Sequence, residues 1–435
     1  MIKVLAFICI NLLSVLLVSG QDKVLEKDIG QTKKEREKIK DISAKEATYP
    51  LPKNFKKEFK AIVDFKRQFL PIPIIYTDPN IGFTYGGGFG SLLFSDSGEL
   101  RHILAPYVQY NDESKFGGTI RYMFLPTLKE RYYFKIYKSE EINEEFLMEY
   151  INKKFYFDRL SFSVLGDIWD EGSARFFGIG KDTIHEDKMN YTHREQNYEM
   201  KLGAFISEYS TVNFGLKYRN VKVLQGLFDD EDQVIDKLSN NSLVRKEEIY
   251  EGKIRIKVNI FPEYDVDDAM MNIDFWGAYG EAFRNDNEEY LSWGLSSTWS
   301  WKALEKITIA GSINYQEVHG GNLPFYVLSE LGGSRSMRGL ELGRFFDKFS
   351  VSGMNEIRWM TFKLNTIGFT SDWEFALFYD YGMVANEHNE FSLGDFEHAI
   401  GIGIRTHFTK NVMTRVDIAY HDEGVKIFVD FGYPF

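Results

Sequence analysis

From Asn80 onward the sequence alternates apolar and polar positions with a period of two. Val212-Asn-Phe-Gly-Leu-Lys-Tyr-Arg219 does so at every step, and Lys253 to Ile260, Leu291 to Trp301 and Ile307 to Tyr315 do so with few breaks. A pleated strand sends successive side chains to opposite faces, so each segment has one apolar and one polar side. Gly424-Val-Lys-Ile-Phe-Val-Asp-Phe-Gly-Tyr-Pro-Phe435 shows the pattern at its strongest, with Val425, Ile427, Val429, Phe431, Tyr433 and Phe435 on one face. A bare apolar strand edge invites aggregation in water. A barrel in lipid removes that edge by pairing the last strand with the first, apolar side chains outward and polar ones toward the lumen.

Seventeen segments qualify as strands, one of them weakly, at Phe146 to Phe157. Outer-membrane barrels return both ends to the periplasm and so need an even number. Merging the weak segment into its neighbours predicts an all-β fold, a 16-stranded antiparallel transmembrane β-barrel over residues 80–435. The three long connections, near 170–194, 224–248 and 319–349, then each follow an odd-numbered strand, which puts all three on the outer side.

The first 79 residues do not share the alternation. Lys3, the apolar run Val4 to Val18 and the small residues Val18-Ser19-Gly20 have the order of a secretory signal peptide, so residues 1–20 are expected to be removed. Residues 21–79 are expected to form a polar periplasmic segment containing an amphipathic helix over 54–70. There Phe55, Phe59, Ile62, Val63 and Phe69 recur at helical spacing among Lys56, Lys57, Lys60, Lys66 and Arg67, with Pro71 and Pro73 ending the helix. Such a helix can lie on anionic headgroups, plug a pore mouth, or cover the barrel's lower rim.

Composition narrows the chemistry. The only cysteine, Cys9, lies inside the signal, which leaves the mature chain of about 415 residues without disulfides or cysteine ligands. Aromatic residues make up 16% of the chain, with 37 Phe and 25 Tyr, an excess that two interfacial girdles would absorb. A net charge of -12 argues against a nucleic-acid partner. The eight histidines show no metal-ligand spacing, no serine, histidine and acid set can be assembled, and His421 beside Asp422 reads as a solvated turn residue. No cofactor, metal site or enzymatic activity is expected.

The third long connection carries Glu330-Leu-Gly-Gly-Ser-Arg-Ser-Met-Arg-Gly-Leu-Glu-Leu-Gly-Arg-Phe-Phe-Asp347. Its glycines permit tight reversals that can carry Arg338 inward on a loop tip. An arginine in a narrow lumen needs a carboxylate, and Asp380 in Phe378-Tyr-Asp-Tyr-Gly382, on the strand after next, is the nearest good candidate. A solvated surface arginine is the plainer alternative.

On these residues the chain resembles the BamA/TamA (bacterial surface antigen) superfamily of outer-membrane assembly and translocation barrels. The likeness rests on Met337-Arg338-Gly339, on Phe378-x-Asp380-x-Gly382, on Gly401-Ile-Gly-Ile-Arg405, on Phe176-Phe-Gly-Ile-Gly180 and on Phe435, and covers about residues 80 to 435. It implies that the loop folds into the lumen with Arg338 paired to Asp380. Leu340 stands where the family has an aromatic residue, and residues 21–79 are too few and too polar for a POTRA domain, so a short POTRA-less branch is expected.

The same resemblance suggests a mechanism that the residues make physical. The strand expected first, Ile81 to Phe94, contains Gly86, Gly87 and Gly88, and the last strand carries Gly432 and Pro434 before Phe435. Glycine weakens a strand and proline cannot donate to a ladder, so the seam between first and last strands should open most readily and accept an incoming strand. Alternatively Gly86 to Gly88 only relieve crowding at a sharply curved wall. The expected function is assistance in inserting proteins into, or moving them across, the outer membrane of a Gram-negative cell. Expected partners are outer-membrane lipid, client outer-membrane or secreted proteins, and periplasmic or lipoprotein accessory subunits. The alternative is a passive or solute-selective channel.

Overall fold

A computed structural model describes residues 67–435 apart from 79, 96–99, 128, 142, 208, 239–246, 261–268, 284–287, 367–368, 388–389, 410–411 and 432. The expected signal peptide at 1–20, the polar segment from 21 and helix residues 54–66 lie outside the described residues.

The strands are β1 (Arg67–Asp78), β2 (Gly82–Phe94), β3 (Leu100–Asn111), β4 (Lys115–Thr127), β5 (Glu130–Ser139), β6 (Glu144–Phe155) and β7 (Leu160–Phe176). Then come β8 (Met189–Phe205), β9 (Ser210–Leu224), β10 (Asp232–Gln233), β11 (Glu247–Asn259), β12 (Ala269–Phe283), β13 (Glu288–Leu304) and β14 (Ile307–Gly320). The last are β15 (Ser329–Leu331), β16 (Phe345–Asp347), β17 (Phe349–Thr366), β18 (Phe369–Ala385), β19 (Glu397–Thr409), β20 (Val412–His421) and β21 (Gly424–Phe431).

One sheet holds 19 of these strands, and β15 and β16 form a separate hairpin. Setting aside the two-residue β10, which runs parallel to the start of β8, leaves eighteen antiparallel wall strands. The expected count of 16 is thus corrected to eighteen, through two segments. Glu144–Phe155 is a full strand laddered on both sides, its Phe146 and Met148 facing outward. Arg67–Asp78 is the first wall strand, so residues 67–70 are strand and not the end of a helix. Pro71 and Pro73 do not terminate a helix there. They sit two apart in a strand, where both nitrogens point to the same edge. Adding two strands preserves the parity, and the connections 177–188, 225–246 and 321–348 all leave the same rim.

The wall keeps the alternation that the sequence predicts. Ile400, Ile402 and Ile404 face outward and exposed, while Gly401, Gly403 and the buried Arg405 face inward between them. Rings line the outer face near both ends of the strands. Tyr85, Tyr110 and Phe116 meet at 5.6 and 5.0 Å near the rim of the long connections, as do Tyr218, Tyr250 and Phe283 at 5.0 and 5.2 Å. His102, Phe124, Tyr132 and Tyr150 run along the opposite rim with centroids 4.8, 5.9 and 4.7 Å apart. No helix among the described residues is long and apolar enough to cross a membrane.

Each neighbouring pair round the wall is joined by a ladder of described residues except β1 and β21, which lie alongside each other without one. β1 has 12 residues and β21 only 8. The β1–β2 ladder runs in unbroken register from Arg67↔Leu93 to Asp78↔Gly82, straight through Pro71 and Pro73. Prolines facing β2 would have broken it, as Pro106 breaks the β2–β3 ladder between Gly88↔Tyr107 and Ser91↔Leu104. The two missing donors therefore lie on the β1 edge turned toward β21.

The glycines expected at the seam do not border that pair of strands. Gly86, Gly87 and Gly88 belong to the second wall strand, laddered to β1 on one side and β3 on the other. A Cβ on Gly86 would come within 2.1 Å of the Val108 carbonyl oxygen, and one on Gly88 within 2.2 Å of that of Pro106. The missing Cβ atoms of Gly86 and Gly88 leave room for the β3 backbone to lie close against β2.

Candidate functional site

The connection 321–348 turns into the barrel as the hairpin β15/β16. Its tip, residues 332–344, rests on the inner faces of β18 to β21. Gly339 takes φ +100, and a Cβ there would meet those of Ala399 and His421 at 2.9 and 3.1 Å. Only glycine fits, in backbone angle and in space. Met337 and Leu340 bury completely with Leu331, Phe345, Val384 and Ala399. Leu340, the departure from the aromatic residue of the resembling family, thus packs where the tip meets the wall.

The residues Phe378, Asp380 and Gly382 alternate along the inner face of β18, and each meets the loop. A Cβ on Gly382 would approach Leu331 to 2.6 Å, so its absence lets the hairpin sit against the wall. The Phe378 ring lies 3.6 Å beneath the Arg338 guanidinium. Arg338 donates from Nε and Nη2 to the two oxygens of Asp380, each at 2.8 Å, and its backbone N–H donates to Oδ2 at 3.0 Å. Such a bidentate charged pair fixes direction as well as distance.

Arg338 reaches further than Asp380. Its Nη1 donates to Glu356 Oε1 at 2.5 Å and to Asp417 Oδ2 at 3.2 Å. Glu356 Oε1 also accepts from Arg405 (2.5 Å) and its Oε2 from Arg358 (2.6 Å). Arg415 donates to Asp417 at 2.6 Å and to Asp430 of β21 at 3.0 Å, and reaches the Ser334 carbonyl of the loop at 3.4 Å. With Glu374, which faces Arg405 at 3.8 Å, the cluster holds four guanidinium groups and five carboxylates. Burial disfavours charge on Arg338, but bonding to Asp380 and the charges of Glu356 and Asp417 outweigh it and hold its pKa above the ordinary arginine value.

Above this latch the three long connections converge. Phe176 packs at a tilt against Phe325, centroids 4.4 Å apart, and joins Phe346, Tyr191 and Val234 in one buried cluster. The Gly180 N–H donates to the Phe346 carbonyl at 2.8 Å. Arg344 donates to Thr183 Oγ1 and O, both at 2.8 Å, and to Glu423 at 2.6 Å. Phe177 lies 4.9 Å from its guanidinium. The Phe176-Phe-Gly-Ile-Gly180 element therefore pins one long connection onto another.

Arg338, Gly339, Met337, Asp380, Phe378 and Gly382 thus meet at one place, and Gly86, Gly87 and Gly88 lie elsewhere in the wall. Gly432 falls outside the described residues. Phe435 does not extend the outward face of the last strand. β21 stops at Phe431, and Tyr433 and Phe435 lie 3.7 and 5.2 Å from the guanidinium carbon of the inward-facing Arg358. His421, read from sequence as solvated, is buried and bonded to Glu397 at 2.9 Å, because the loop tip covers it. The sequence pattern alone does not single out the network partners Glu356, Arg358, Glu374, Arg415, Asp417 and Asp430. Where a signal exists, it is a pair of opposite charges two residues apart on the same face of a strand, in Glu356-Ile-Arg358 and Arg415-Val-Asp417. Among the described residues, no group of three or more His, Cys, Asp or Glu is arranged to hold a metal ion.

No protein-family model and no curated protein sequence matches the chain. Among solved structures it is similar to BamA from Haemophilus ducreyi lacking POTRA domains 1–3, at 12% identity and TM-score 0.49, over 84% of this chain and 69% of that one. It is also similar to CdiB from Acinetobacter baumannii, at 16% and 0.44, over 83% of this chain and 59% of that one. CdiB from Escherichia coli gives 11% and 0.47, over 85% and 63%. The chain spans less than two thirds of the length of either CdiB chain.

Proposed function

We propose that the protein is a barrel of the Gram-negative outer membrane that helps proteins insert into that membrane or cross it. Client proteins engage the joint between β1 and β21, and the Arg338 loop stays latched beside that joint. The observation that carries this reading is the closing edge of β1, which lacks donors at Pro71 and Pro73 and outruns β21, 12 residues against 8. An edge with no ladder of described residues to its neighbour can take an incoming strand by β-augmentation, and opening it breaks none of the described ladders. The apolar outer face with rings near both rims supports a place in lipid, since only helices and closed barrels satisfy their backbone there.

The work is strand exchange, with no cofactor and no bond chemistry; lipid, client proteins and any accessory subunits are its partners. The reading is tested by depleting the protein in its own cell and measuring the outer-membrane and secreted proteomes. Selective loss of barrel or secreted proteins is expected. An unchanged proteome with altered solute permeability would replace the proposal with a channel.

A further inference from the structure

The inward-turned segment after β21 covers Arg358, which shares the carboxylate of Glu356 with Arg338 of the latched loop. Arg358 projects from β17 into the lumen, almost wholly buried, and donates from Nε to Glu356 Oε2 at 2.6 Å. Its Nη2 has no hydrogen-bond partner. What covers the guanidinium instead is the Tyr433 ring at 3.7 Å, with Phe435 at 5.2 Å. Tyr433 is itself anchored, donating from its hydroxyl to Glu374 at 3.2 Å. Glu356 presents its other oxygen to Arg338 and Arg405, both at 2.5 Å.

We infer that Arg358 is a positioning residue that couples the segment after β21 to the loop latch through Glu356. With the rings docked, Arg358 is held flat and fixes one oxygen of Glu356, which directs the other at Arg338. When residues 433–435 leave, the guanidinium loses its cover, hydrates and releases Glu356, which weakens the Arg338 contact. The inference rests on the proposed function for its purpose, because the strand preceding this segment is the one that borders the joint. A client strand that pulled β21 outward would then loosen the loop in the same act.

The test needs no client. In a Cys9→Ser background, Met337→Cys places a buried thiol at the loop tip, and its modification rate by a small thiol reagent reports the latch in purified protein in bilayers. The double variant Tyr433→Ala/Phe435→Ala should raise the rate about tenfold, between the exposed and the desolvated limits of a cation–π contact. Tyr433→Phe, which keeps the ring, should stay close to the parent rate. Arg358→Ala should also raise it, and adding the double variant to Arg358→Ala should raise it no further, because both act through one residue. Rates that multiply, or a double variant that reacts like the parent, would overturn the coupling. Gel migration before and after heating confirms that each variant is a folded barrel. A protein that fails in client assembly yet shows this pattern refutes the proposed function and leaves the coupling standing.

Discussion

Replacing Arg338 by alanine tests the latch through an asymmetry that the charge count imposes. Arg338 is fully buried and holds Asp380 bidentately at 2.8 Å, with Glu356 and Asp417 on its remaining nitrogen. Its removal leaves three buried carboxylates short of a cation and takes the cluster from one excess negative charge to two. Breaking a buried pair by deleting one partner costs about 3–5 kcal/mol. Deleting Asp380 as Asp380→Asn does the opposite, because the cluster becomes neutral and Arg338 keeps Glu356 and Asp417. The loss there is about 1.5–3 kcal/mol, that of a charged hydrogen bond. A surface pair such as Lys138–Glu144, more than half exposed on both sides, is the control and is worth about 0–1 kcal/mol. Leu331, Met337, Leu340 and Phe345 remain buried in either variant, and about 1.5–3 kcal/mol for each apolar side chain keeps the hairpin in the lumen. The loop should therefore loosen without leaving. Single-channel recording in planar bilayers should show Arg338→Ala as noisier and more conductive than the parent, with Asp380→Asn between them. The double variant should recover part of the difference. A parent-like trace for Arg338→Ala, or equal effects of the two single variants, would refute the reasoning.

Other consequences are more local. Gly339→Ala forces a side chain into φ +100 and against Ala399, so it should lose at least about 1–2 kcal/mol of loop stability from the backbone alone, measured as faster hydrogen exchange across 332–344. Glu341 gives the loop a pH dependence: burial raises its pKa, but Lys426 at 2.6 Å, with Arg175 and His185, more than reverses this and holds it below the ordinary value. Its contribution is therefore complete above the unfolded glutamate pKa of about 4.3 and fades as pH falls through the lower folded value. Loss of this Glu341 contribution should accelerate proteolysis of the 321–348 connection as pH falls below about 4. Glu341→Gln should remove that acid step, and persistence of the step would assign it to other carboxylates.

How much of this was legible follows from what each residue's neighbours decide. Alternation along Gly401-Ile-Gly-Ile-Arg405 reads directly as wall, because the period of two belongs to the strand itself. The need of a lumenal arginine for a carboxylate makes Asp380 a candidate for Arg338, and only the resemblance favours that pair over a solvated arginine. The first strand is not legible locally because Pro71 and Pro73 punctuate helices and edge strands alike, and only the unbroken β1–β2 register decides between them. The glycines at 86 to 88 looked like a weak edge, but their role depends on how closely β3 approaches, which no local pattern records. Tyr433 and Phe435 stayed in phase with the strand in sequence, yet Arg358, some 75 residues away, draws them inward.

The central claim, that the barrel works by opening between β1 and β21, is tested most directly by locking that joint. A disulfide linking β1 to β21 in a Cys9→Ser background is compared with one between Ile418 and Ile427, register partners across the fully laddered β20–β21 pair. Both proteins should fold and conduct alike, and only the lock across the joint should abolish client assembly, with reductant restoring it. Client assembly at the parent level with the β1–β21 disulfide fully formed would contradict the account.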